Sequence, residues 1–153
     1  MSVKTVVQRQ CQRLVDQAAD YALPTRPPVG WLRTVRIALG MSGAQLAKKM
    51  KVTRARITQA ELAERSGAAT IKSMQSMAAA MGCQFVYAIV PSGHVEDLIL
   101  AQARKKAMAL VSTTSKHMAL ESQVLPNAMI ADEIERLAHE LAQGRPADLW
   151  NEK

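Results

Sequence analysis

Nine residues, TRARITQAE from Thr53 to Glu61, hold two arginines, two threonines and a glutamine at spacings that a helix sorts onto one side. Wound at about 100° per residue, Ile57 and Ala60 fall together on a small apolar back. Ala55 and Gln59 point the opposite way, with Arg54 and Thr58 on one shoulder and Arg56 on the other. Such a front suits base edges in a major groove. Arg donates twice to guanine O6 and N7, Gln engages adenine N6 and N7, and the methyls of Thr or Ala meet a thymine methyl. A basic helical face can also be nothing more than a solvated face, so the elements that hold it decide the matter.

Those elements are legible. Trp31 to Leu39 reads as a short helix closed by Gly40, and Ser42 caps a second helix through Met50. Lys51-Val52 forms a turn, and Thr53 caps a third helix running to about Ala63. Glu64 to Ala69 breaks the pattern, and Thr70 opens a helix with Ile71, Met74, Met77, Ala78 and Met81 on its apolar face until Gly82. Leu46, Ala47 and Met50 belong to the core, and Ala47 is small enough for two helices to cross closely. A short turn plus a small residue at the crossing is what a helix-turn-helix requires.

Met41 to Glu61, MSGAQLAKKMKVTRARITQAE, resembles the DNA-binding segment of the Cro/repressor-type (XRE) helix-turn-helix family. The features carrying the resemblance are the capping Ser, the Leu-Ala pair, the Val before a capping Thr, the inward Ile, and the Glu four residues after it. The resemblance implies that the first part of the third helix, with Arg54, Ala55, Thr58 and Gln59, enters the major groove. It also implies phosphate contacts at Ser42, Gln45 and Thr53, and at Thr70 and Lys72 of the fourth helix, with Lys48, Lys49, Lys51 and Arg56 supplying mobile charge. The family often has Gln directly after the capping Ser. Here that position is Gly43, and Gln45 can replace only part of such a contact. Over more of the chain, RPPVGWLRTVRIALGMS from Arg26, CQFVYAIVP from Cys83 and MALESQ from Met118 resemble the narrower group called mobile mystery protein A. That resemblance implies a Fic/Doc-type partner protein and an antitoxin-like or autoregulatory pairing. Some Fic inhibitors carry a Ser/Thr-x-x-x-Glu-Gly/Asn motif. The nearest match, Ser92-Gly-His-Val-Glu-Asp97, ends in Asp, and Ser92 is better explained as helping to start the next helix.

Charge sits where the motif sits. The chain has 153 residues and a net charge of +7. Residues 26 to 65 hold nine Lys or Arg against two acids, whereas residues 67 to 153 hold eight against nine. A basic segment coincident with the motif is the electrostatic footprint expected of a DNA-binding domain. The composition is 48% apolar with five aromatic residues, which points to a mainly α fold built from Ala, Leu, Ile, Val and nine Met. Cys11 and Cys83 show no pairing pattern and no apolar leader precedes them, so free thiols and a cytoplasmic location are expected.

The expected organisation is an N-terminal amphipathic helix in 1–25, with Val3, Val7, Cys11, Leu14, Ala18 and Tyr21 on one stripe, a helix-turn-helix domain in 26–82, a strand in 83–91 and a helical region in 92–153. The strand, CQFVYAIV, lacks an evident partner. It can pair with its own copy across a two-fold axis in a homodimer or with Val111-Ser-Thr-Thr-Ser115 of the same chain. Helices are expected over His94 to Val111, 117–125 and Ala131 to Gln143, with Glu133 and Arg136 paired on the surface. His94, His117 and His139 are scattered, no phosphate loop is present, and no run is long enough for a membrane span, so no metal, cofactor, membrane partner or enzymatic activity is expected. The expected partner is double-stranded DNA carrying a near-palindromic operator.

Overall fold

A computed structural model describes residues 2–21, 24–121 and 126–151, all α-helical in their regular parts. The helices are α1 (Val3–Asp20), α2 (Trp31–Ala38), α3 (Gly43–Met50), α4 (Arg54–Ser66), α5 (Ile71–Ala80), α6 (Val95–Leu120), α7 (Asn127–Gln143) and α8 (Pro146–Leu149). The chain forms two compact units, residues 22–88 and residues 1–21 with 89–153.

The 22–88 unit contains α2 to α5 around one core. Leu32, Leu46, Ala47, Ile57, Met74, Met77 and Met81 are buried together, with Val35, Met50, Ala60 and Phe85 packed against them. The helix boundaries follow local chemistry. Ser42, Thr53 and Thr70 each accept a hydrogen bond from the backbone N–H three residues on, which ties down the first turns of α3, α4 and α5. α4 runs past the expected stop at Ala63 and ends at Gly67, which adopts φ +82°. Its last turn continues because Glu64 is buried and bonded and so is no chain breaker. Its carboxylate accepts from the backbone N–H groups of Trp31 (2.6 Å) and Leu32 (2.9 Å), capping α2 from a distant part of the sequence. Gly30, at φ +86°, is required there, because a Cβ would lie 2.7 Å from Glu64 Oε2.

In the other unit, α6 and α7 cross through alanines. Ala103, Ala107 and Ala138 are fully buried with Leu149, and Ile99, Leu100, Ile134, Leu137 and Leu141 surround them. Small residues at the crossing let the helix axes approach closely. α8, absent from the sequence expectations, places Leu149 in this core, and its carbonyl accepts from Gln102 Nε2 at 2.9 Å. Arg104 and Glu135 join α6 to α7 at 2.6 Å, and Lys106 Nζ donates to the Asp148 carbonyl. The expected Glu133–Arg136 pair forms at 2.7 Å, with Glu140 on the same guanidinium. The helix expected to stop at Val111 continues to Leu120. It absorbs the start of the short helix expected over 117–125, of which 122–125 lie outside the described residues. α6 is opened by the Asp97 side chain, which accepts from the His94 N–H at 3.0 Å, and not by Ser92.

α1 spans the stretch expected of it, but its orientation corrects the expectation. Val3, Val7, Cys11, Leu14 and Tyr21 of the apolar stripe are exposed, while its Ala18 is half-buried together with Thr5, Gln8, Gln12, Val15 and Asp16. The polar side is held by Asp16 Oδ1, which accepts from the Val95 N–H at 2.9 Å.

The expected strand is also corrected. Among the described residues there is no β-strand, and residues 83–90 form no regular secondary structure. Pairing with 111–115 does not occur, because those residues lie within α6, where their backbone groups are already used by the helix. Within one chain the segment therefore lacks the second strand that a ladder needs.

Candidate nucleic-acid interface

The front of α4 is held by a sealed back. Ile57 is 2% exposed and sits in the core, and Ala60 packs against it. Arg54, Ala55, Arg56, Thr58 and Gln59 are all exposed, as the helical spacing requires. Thr58 turns its hydroxyl back to the Arg54 carbonyl at 3.4 Å, which leaves its methyl and an oxygen lone pair facing out. The turn between α3 and α4 is short. Lys51 takes the left-handed conformation (φ 57°, ψ 41°) and returns its N–H to Lys48 O at 3.3 Å, and Val52 N–H bonds to Ala47 O at 3.0 Å. Leu46 and Ala47 are buried at the crossing.

This turn brings two helix N-termini side by side. A Cβ on Gly43 would lie 4.0 Å from Arg54 Cγ, so the first residue of α3 adjoins the first of α4. Ser42 and Gln45 form a reciprocal cap, in which the Gln45 side-chain oxygen accepts from Ser42 N–H at 2.8 Å. Gln45 therefore keeps only its amide N–H groups for any ligand. A groove of about 530 Å³ collects Gln45, Lys48 and Lys49 beside Leu39 and Met41. A second, of about 390 Å³, brings Arg56 of α4 next to Thr70, Lys72 and Ser73 at the start of α5. Six of the nine residues expected to hold phosphates thus fall in two clusters, Gln45, Lys48 and Lys49 in one and Arg56, Thr70 and Lys72 in the other, while Ser42, Lys51 and Thr53 line neither; the N-termini of α3, α4 and α5 present the positive ends of their dipoles.

The electrostatics are one-sided for a reason not visible in the sequence count. Between residues 24 and 88 the only carboxylates are Glu61 and Glu64, and both are buried. Glu61 is gripped by Arg36 through two bonds of 2.6 and 3.2 Å, while Arg36 Nη1 donates to Met41 O at 3.0 Å. That hydrogen bond to Glu61 raises the Arg36 guanidinium above its ordinary value against the opposing effect of burial. Every exposed charged side chain in this segment is consequently Lys or Arg, including Arg26, Arg33 and Arg65, to which the motif assigned no role. From the sequence alone, Glu64 reads as part of a helix break. The signal for it was its spacing, one turn after Glu61 on the same inward face.

Glu96, of the imperfect Fic-inhibitor match, is exposed in the first turn of α6. Among the described residues no helix is long and apolar enough to cross a membrane.

A bundle whose helix α4 projects basic and amide groups above a sealed crossing with α3 is a helix-turn-helix DNA-binding unit. Residues 32–87 match the family model described as Helix-turn-helix, which supports a DNA-binding, transcription-regulating segment of the Cro/repressor type there. No curated protein and no solved structure matches the chain.

Proposed function

We propose that two copies of this chain bind a near-palindromic operator in the cytoplasm and repress the operon that encodes them. Arg54, Thr58 and Gln59 specify bases, with the Ala55 methyl against a thymine. Ser42, Gln45, Lys48, Lys49, Lys51, Thr53, Arg56, Thr70 and Lys72 hold phosphates. Two recognition helices about 34 Å apart would reach successive major grooves on one face of the duplex. The observation that carries this reading is the wholly cationic exposed charge of residues 24–88 around a helix front whose rear is locked into the core.

Footprinting on DNA upstream of the protein's own gene, followed by gel-shift titration, tests it. Gln59→Ala should lose preference at one base pair per half-site, worth about 1–3 kcal/mol, while affinity for unrelated DNA stays the same. Equal losses on every sequence would contradict a base-reading role.

A second reading is favoured by the exposed apolar stripe of α1. Here the chain is an antitoxin-like module that holds a Fic/Doc-type neighbour inactive, as its resemblance to mobile mystery protein A implies, and DNA binding is secondary. Copurification of the two proteins that is abolished by Leu14→Lys would favour it. Retention of the complex by that variant would exclude α1 as the docking face.

A further inference from the structure

A cleft of about 330 Å³ opens between α2, α5 and the residues that follow α5. Its floor is the core itself, because Leu32, Met74 and Met81 are buried and yet line it together with Val35 and Phe85. That volume lies at the small end of the roughly 300–1,000 Å³ range of ligand sites, and the two thioethers in its walls can adjust to the shape of a guest. The cleft carries one charged side chain, Arg26, whose Nη1 donates to the Glu64 carbonyl at 3.3 Å and whose other donors make no further hydrogen bond among the described residues. No carboxylate of residues 24–88 pairs with that guanidinium. Glu61 is held by Arg36, and the Glu64 carboxylate is turned to the N–H groups of Trp31 and Leu32. Glu64 thus anchors both Arg26, through its carbonyl, and the backbone of Trp31, which also lines the cleft.

We propose that this cleft binds a small monocarboxylate with an apolar body, the carboxylate on Arg26 and the body against Met74, Met81 and Phe85. The planar fork of a guanidinium matches the two oxygens of a carboxylate. One guanidinium balances one negative charge, whereas a phosphate dianion would bring a second charge over walls that are mainly apolar. A neutral hydrocarbon would bury the same apolar area and leave the fork unused. A second copy of residues 24–88 cannot supply the anion, because every exposed charged side chain there is Lys or Arg. The cleft shares no residue with the α4 front or with the two phosphate clusters, so the site goes beyond the regulator reading and does not depend on it.

Tryptophan fluorescence of the full chain without DNA tests it. Trp31 lines the cleft and Trp150 belongs to the other unit, so in Trp150→Phe protein the indole emission reports on the cleft. Octanoate and phenylpropionate should each shift that emission saturably, and the tighter of the two identifies an aliphatic or an aryl body. Acetate, which has the charge without the body, should give no saturable shift. Octanol should bind about ten-fold more weakly than octanoate, and octanoate should bind about ten-fold more weakly to Arg26→Gln, the loss expected of one charge-assisted hydrogen bond. Arg26 is exposed, so the fold should survive its replacement, and helical circular dichroism checks this. The absence of a saturable shift with either acid, equal affinity for octanol and octanoate, or an unchanged constant in Arg26→Gln would overturn the proposal. An apparent dissociation constant that climbs with protein concentration would also overturn it, because another copy of the chain then covers the cleft. Gel shift is read separately. A protein that binds the acids through Arg26 but binds no DNA keeps this site and removes the regulator reading.

Discussion

Lys51 separates folding from binding in a way no other residue of the turn does. Its backbone is left-handed at φ 57°, the only non-glycine residue with positive φ among the described residues. That conformation costs an L-residue about 1–2 kcal/mol, and glycine escapes it at the expense of greater freedom when unfolded. Lys51→Gly should therefore stabilise the protein by about 1 kcal/mol, seen as a rise of a few degrees in the thermal midpoint. On the proposed function, the same change deletes one phosphate contact per half-site, or two per dimer. With each contact contributing about 0.9 to the slope of log affinity against log salt, the slope should flatten by about 1.8. The variant's affinity deficit should then shrink about twelve-fold between roughly 50 and 200 mM salt, and equally on specific and nonspecific DNA. Calorimetry and salt-titrated gel shift measure the two halves independently. A fall in stability would refute the argument from backbone strain. An unchanged salt slope, or a loss confined to one sequence, would refute the phosphate role.

Gly30→Ala should cost about 2 kcal/mol or more in urea denaturation, because φ +86° and a Cβ 2.7 Å from Glu64 Oε2 act together. Gly40→Ala, with φ +65° and nothing within 4 Å, should cost less, about 1 kcal/mol. Glu61→Gln should destabilise by about 2–4 kcal/mol by leaving Arg36 without its countercharge, while Arg36→Leu/Glu61→Leu should recover much of that loss; equal costs for the two variants would deny the coupling. In the other unit, Arg104 holds Glu135 below the ordinary carboxylate range, chiefly through their hydrogen bond. A depressed carboxylate contributes stability above its unfolded pKa and loses it as pH falls through the folded value. Arg104→Met should thus flatten the acid limb of the stability profile, slightly and less at high salt, since both side chains are nearly half exposed.

Much of the interface was legible because its signals are local. Ser42, Thr53 and Thr70 cap helices through residues three positions away, and the inward Ile57 follows from helical period alone. What escaped depends on distant parts of the chain. Glu64 looks like a breaker until its carboxylate is seen on the N–H groups of Trp31 and Leu32. CQFVYAIV has strand composition, but a ladder needs a second strand and the segment weighed for that role is helical. The stripe on α1 correctly marked a helix. It could not reveal which side faces the neighbouring helices, because periodicity fixes a face and not the partner it meets.

The placement of Glu61 and Glu64 ties stability to recognition. Surface carboxylates on this unit would add salt bridges of small value, about 0–1 kcal/mol each, while weakening the field that attracts DNA. Burying them reverses both terms. Glu61 gains a partner shielded from water, and Glu64 satisfies two helix-end N–H groups that would otherwise be orphaned. Arg36 is used inside, but the remaining cations are left unopposed at the surface. Within residues 24–88, one distribution of charge thus stabilises the core and leaves the α4 front in an unopposed positive field.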